Sequence, residues 1–143
     1  MVIVATIGAY IMNFSALSTR QTTDTYFREQ AMLFAKSGTE LALLVISGND
    51  HSQNCIDEVH FQYPADCSKK NDNCYEVNVS IRYWYVGSFN ACQAKNALMS
   101  EIQTVESNGT VLMDIFVKTP AIMYDDEGNA TRYTFHRRTI QKP

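Results

Sequence analysis

No excess of charge, no paired-cysteine spacing and no nucleophile with a base beside it occur in this chain, and each absence removes a class of function. Twelve Lys and Arg against fifteen Asp and Glu leave a net charge of −3 and a pI near 5.5. That balance exerts no electrostatic pull toward nucleic acid or anionic lipid, so nucleic acid is not an expected partner. None of the four cysteines forms a C-x-x-C, and His51, His60 and His136 fall at no finger-like interval, which argues against a zinc site. No cofactor, metal or enzyme activity is expected. There is also no basic segment ahead of the apolar start and no small-x-small cleavage site after it, so a cleavable signal peptide does not fit.

What is present begins at once. Met1 to Met12 are apolar or small throughout, and the first charge is Arg20. Twelve helical residues span about 18 Å, and extension to Leu17 reaches about 25 Å, short of the roughly 30 Å of a bilayer core. The segment reads as a membrane helix whose beginning is missing. From Arg20 the same helix becomes amphipathic: Phe27, Ala31, Phe34, Gly38, Leu41 and Val45 recur at steps of four and three, while Arg28, Glu29, Lys36 and Glu40 fall off the stripe. Gly38 on that stripe costs about 1 kcal/mol of helix propensity, which makes sense where another element approaches closely. Ser47-Gly48-Asn49-Asp50 supplies the stop.

About 95 residues remain after the helix, enough for one modest core. Tyr75, Val77, Val79, Ile81, Tyr83 and Tyr85 alternate with polar residues and Trp84, a strand with one buried face. Val59, Phe61 and Tyr63 make a shorter strand stopped by Pro64. Val111 to Val117 follow the Asn108-Gly109 turn signal, and Tyr133 with Phe135 mark a fourth strand after the Asp125 to Asn129 turn. The expected fold is α+β: one long helix, then a four-stranded antiparallel sheet with one face under the helix stripe. Four cysteines beyond the helix favour an oxidising compartment and two disulfides. Of three connectivities, the nested one, Cys55 with Cys92 and Cys67 with Cys74, is the one a simple hairpin supplies.

An apolar amino-terminal helix running into an amphipathic half, here Arg20 to Ala31, followed by a disulfide-bearing antiparallel sheet, resembles type IV pilins and the pseudopilins of type II secretion. The resemblance divides the chain into a hydrophobic helix half, residues 1–19, for the membrane or the filament core, and a pilin-like globular domain, residues 20–143. It implies a structural subunit anchored in the inner membrane with a periplasmic domain, and later part of a periplasmic or cell-surface filament. The partners implied are other pilin or pseudopilin subunits, met through a helix surface that includes Ile7 and Gly8. Family members carry a Glu at the fifth mature position behind a basic leader, whereas Ala5 stands here and the first acid is Asp24. The alternative is a membrane-tethered periplasmic binding module that does not polymerise, with the sheet or the 92–106 loop as its contact surface.

Smaller signals have plain explanations. His51, His60 and His136 read as solvated side chains, and Arg137, Arg138 and Lys142 as a charged edge that blocks strand addition. Asp125, Asp126, Glu127 and Asn129 could ligate calcium, but a turn uses the same residues. Asn78, Asn108 and Asn129 each open an Asn-x-Ser/Thr with a Glu two residues earlier, which resembles the extended acceptor of bacterial N-glycosylation. Trp84 points away from the buried row of its strand, under loop cover or at a contact surface.

Overall fold

A computed structural model describes residues 2–50, 55–65, 67, 73–84, 98–99, 110–124 and 128–142. One helix, α1 (Val2–Ser47), leads into β1 (Glu58–Tyr63), β2 (Tyr75–Trp84), β3 (Leu98–Met99), β4 (Val111–Tyr124) and β5 (Ala130–Gln141). At 1.5 Å per residue, the 46 residues of α1 measure about 70 Å. Its end is capped locally: the Gly48 amide donates to the Leu44 carbonyl at 3.0 Å, and the Asn49 side-chain amide donates to that of Val45 at 2.7 Å.

The sheet runs β1-β2-β4-β5, each pair antiparallel, and the two-residue β3 adds a short parallel pairing to β2 that the sequence pattern does not announce. Strands β4 and β5 are longer than the alternation around Val111 to Val117 and around Tyr133 suggests, because β4 continues through Pro120. The ladder shifts register there, between Lys118 and Ala121, the kind of irregularity that lets a proline sit inside a strand. Thr119, fully buried, repairs the break by accepting the Tyr133 amide proton at 3.0 Å.

The core lies between one face of the sheet and the carboxy-terminal half of α1. Val77, Val79 and Ile81 on β2 and Val111, Met113, Ile115 and Val117 on β4 meet Ala31, Ala35, Ala42 and Ile46. The helix stripe is built of small residues, so its backbone lies close to the sheet. A Cβ on Gly38 would come within 2.9 Å of Val77 Cγ1 and 3.3 Å of Val79 Cγ2. At one end of this seam Phe34 stacks on Tyr75 with ring centroids 4.5 Å apart.

Two expectations need correction. Of the two disulfides, one pair is complete among the described residues, Cys67–Cys74, with Cα atoms 6.1 Å apart. Cys55 is also disulfide-bonded, while Cys92 lies outside the described residues. Secondly, no helix among the described residues is long and apolar enough to cross a membrane. The apolar start is diluted by Asn13, Ser15, Ser18 and Thr19 before Arg20 ends it.

Candidate functional site

The feature that distinguishes this molecule is how far its helix outruns its sheet. Every side chain described from Ile7 to Thr22 is exposed. Among them are Tyr10 at 78%, Phe14 at 77% and Leu17 at 65%. The first described side chains that are partly buried are Thr23 and Phe27, while Leu17, Arg20 and Gln21 line an open cleft together with Ile122, Thr131 and Tyr133 of the sheet. Two turns at the junction are prepared for burial: the Thr19, Thr22, Thr23 and Thr25 hydroxyls donate to the carbonyls of Ser15, Ser18, Thr19 and Gln21 at 2.8–3.0 Å. Hydroxyls satisfied inside their own helix can lose water without leaving a donor unpaired.

The structure separates the helix residues named from the sequence into two groups. Ile7 and Gly8 stand in the open, with no atom within 4 Å of a Cβ built on Gly8. Phe27 and Phe34 are half-buried and Gly38 is buried against β2. Leu41 is exposed, because the helix turn that faces the sheet at this level presents Ala42 instead. A second set of large apolar residues, Tyr26, Leu33 and Leu44, lies exposed on the face of α1 turned away from the sheet. They fall off the single stripe from Phe27 to Val45; their spacing of seven and eleven residues is the signal that finds them.

The other exposed surface is the sheet face that the helix does not cover. Its centre is Asp114, an acid at the outward phase of β4 whose side chain is only 3% exposed. Register places Ser80 on one side of it and Arg138 on the other. Arg138 grips the carboxylate with two bonds, Nε to Oδ1 at 2.7 Å and Nη2 to Oδ2 at 2.9 Å, while Arg82 Nε lies 3.4 Å from Oδ2. His136 Nε2 sits 3.1 Å from Oδ1, and its ring stacks on Phe116 at 4.3 Å. The Arg138 hydrogen bonds, with help from His136 and against the cost of burial, hold the Asp114 carboxyl down at about 2. His136, taken from sequence as a merely solvated side chain, is exposed yet engaged at this cluster. The lone acid inside Val111 to Val117 opposite Arg138 was the available clue, but only the strand register shows that they meet.

Other sequence candidates are placed as follows. Asn78 sits mid-strand on β2, half-buried, and its amide nitrogen donates to Glu58 Oε1. Asn129 is exposed, after Gly128 in its left-handed conformation (φ 82°), and Asn108 lies outside the described residues. Asp125, Asp126, Glu127, His51 and most of the 92–106 loop also lie outside them, as does the Trp84 side chain. Among the described residues no group of three His, Cys, Asp or Glu side chains could hold a metal ion. His60 is exposed on β1.

Searches against protein-family models, curated proteins and solved structures find no match for this chain.

Proposed function

We propose that this chain is a structural subunit, pilin-like or pseudopilin-like, that assembles into a filament through the amino-terminal half of α1. One observation carries the reading: from Ile7 to Thr22, about 24 Å of helix that includes Tyr10, Ile11, Phe14 and Leu17, every described side chain is exposed, and none of the described residues buries it. Such a surface on an otherwise packed protein marks a contact with protein or lipid. The partners are further copies of this chain or related pilin and pseudopilin subunits. Before assembly the projecting half rests at the inner membrane, with the sheet domain in the periplasm. An oxidising compartment agrees with the Cys67–Cys74 disulfide. We also propose that Cys55 pairs with Cys92, since Cys55 is oxidised and Cys67 and Cys74 are taken by each other. Neither a cofactor nor catalysis enters this role.

The test is a substitution that changes bulk and not polarity. Gly8→Leu meets open space in the single subunit and improves helix propensity by roughly 1 kcal/mol, so the monomer is unharmed. Where helices approach closely at Gly8, added bulk disturbs the contact. Filaments lost in Gly8→Leu cells, with the domain still folded, support the reading. Unchanged surface structures, together with no detectable subunit contact in the parent protein, favour the tethered, non-polymerising module.

A further inference from the structure

The cleft where α1 parts from the sheet joins two unlike surfaces. Leu17, Arg20, Asp24 and Arg28 stand on the helix wall and Ile122 and Tyr133 on the sheet wall, around an open volume of about 730 Å³. That is room for a small molecule. Arg20 and Arg28 are exposed, and among the described residues neither has an ion-pair partner, nor has Asp24 between them. Arg132, which also lines the cleft, is by contrast engaged with Glu76 at 3.3 Å. A net charge of −3 gives the chain as a whole no pull toward an anionic surface. Two unmatched arginines against one aspartate nevertheless leave a single positive charge at this place. The position matters as much as the charge. Arg20 is the first charged residue of the chain, and exposed Leu17, Phe14 and Ile11 precede it on the helix. An arginine is costly to carry into hydrocarbon, so with the apolar half in lipid, Arg20 and the cleft behind it stay at the level of the headgroups. Tyr133, 39% exposed, is a residue suited to that level.

We propose that this cleft clasps the headgroup of an anionic phospholipid, phosphatidylglycerol in type, while the helix half is in the membrane. The clasp presupposes the inner-membrane stage of the assembly reading above and adds to it a lipid class. The phosphodiester lies on Arg20 and Arg28, whose planar guanidiniums match phosphate oxygens with paired N–H groups. Helical Cα–Cβ bonds tilt toward the amino terminus, so both side chains start out in the direction of the apolar half, from which the lipid comes. One phosphodiester charge meets the one net positive charge of the cleft. Asp24 accepts hydrogen bonds from the hydroxyls of a glycerol headgroup, which a choline headgroup does not have. Leu17, Ile122 and Tyr133 cover the first carbons of the acyl chains. A free phosphate would satisfy the arginines and leave that apolar wall bare.

The experiment measures binding of the full-length chain to vesicles of phosphatidylcholine alone and of phosphatidylcholine mixed with phosphatidylglycerol. The parent is expected to bind the mixed vesicles more tightly. Arg20→Gln and Arg28→Gln should each bind the mixed vesicles roughly fivefold more weakly, with little change on phosphatidylcholine. Arg137→Gln, which removes a charge outside the cleft, should bind both as the parent does. The substituted side chains are exposed, so thermal unfolding should match the parent. Should a variant melt early, the parent alone decides: its preference for the mixed vesicles should fade as salt is raised, while binding to phosphatidylcholine persists. The inference is overturned, and the membrane stage stands, if the two vesicle kinds bind the parent alike, if Arg137→Gln loses as much as the cleft variants, or if salt leaves the preference untouched. It is overturned likewise if inorganic phosphate, at ionic strength matched with chloride, abolishes the preference, since the site then takes a free anion. A parent protein that binds neither kind of vesicle overturns the membrane stage as well.

Discussion

Replacing Gly38 with alanine pits helix propensity against packing, and the outcome follows from two distances. Alanine gains about 0.8–1.0 kcal/mol over glycine in a helix interior. Its methyl would lie 2.9 Å from Val77 Cγ1 and 3.3 Å from Val79 Cγ2, inside van der Waals contact with both. Both valines are fully buried and β-branched, so neither can swing aside without leaving its rotamer or pushing α1 off the sheet. Overpacking of this kind costs about 1–3 kcal/mol, and two rigid neighbours place it in the upper half of that range. The net expectation is a loss of about 1–2 kcal/mol, which lowers the melting temperature by roughly 3–8 °C. Thermal unfolding followed by circular dichroism measures it. Adding Val77→Ala makes room, so the double variant should be less destabilised than the sum of the two single variants. A Gly38→Ala protein that melts above the parent, or strict additivity with Val77→Ala, would refute the close approach of helix to sheet.

Asp114 should make the domain acid-sensitive. Its carboxyl, lowered from 3.8 to about 2, contributes stability that is full above about pH 4 and lost as pH falls through about 2, worth at most about 2.5 kcal/mol. Because Arg138, Arg82 and His136 are all about half exposed, solvent screening reduces this to about 1–2 kcal/mol. Asp114→Asn should therefore melt below the parent at neutral pH, with the gap shrinking toward pH 2; a gap independent of pH refutes the assignment. Non-reducing peptide mapping should recover Cys67 joined to Cys74 and Cys55 joined to Cys92, and a Cys55–Cys67 peptide contradicts both. If the Glu-x-Asn-x-Ser/Thr matches are used, glycan should appear at Asn129 before Asn78, whose amide nitrogen is tied to Glu58; intact mass of protein from its native host reads this out.

The helix and the antiparallel order of its four main strands are legible in the sequence because each rests on local periodicity. An apolar run followed by a stripe of period near 3.6 from Phe27 to Val45 marks the helix, and the period of two in Tyr75 to Trp84 dictates which face of β2 is buried. What depends on three dimensions is not legible. The full length of β4 is hidden by Pro120, since the repair by Thr119 needs the Tyr133 amide from another strand. Leu41 and Ala42 differ by one helix step, and only the position of the sheet decides which is covered. Asp114 looks like an isolated acid in a strand until the β4-β5 register brings Arg138 beside it and the β2-β4 pairing brings Arg82. For the projecting half, composition reveals the apolar run, but that it stands clear of the domain follows from where the sheet ends.

Whether the exposed helix half contacts protein is read by a photo-reactive amino acid in place of Ile11, exposed at 64%, in cells of the native host. The expected product is a protein adduct joining this chain to a second copy or to another filament subunit. Adducts to lipid alone, from protein present at its normal level, would contradict it.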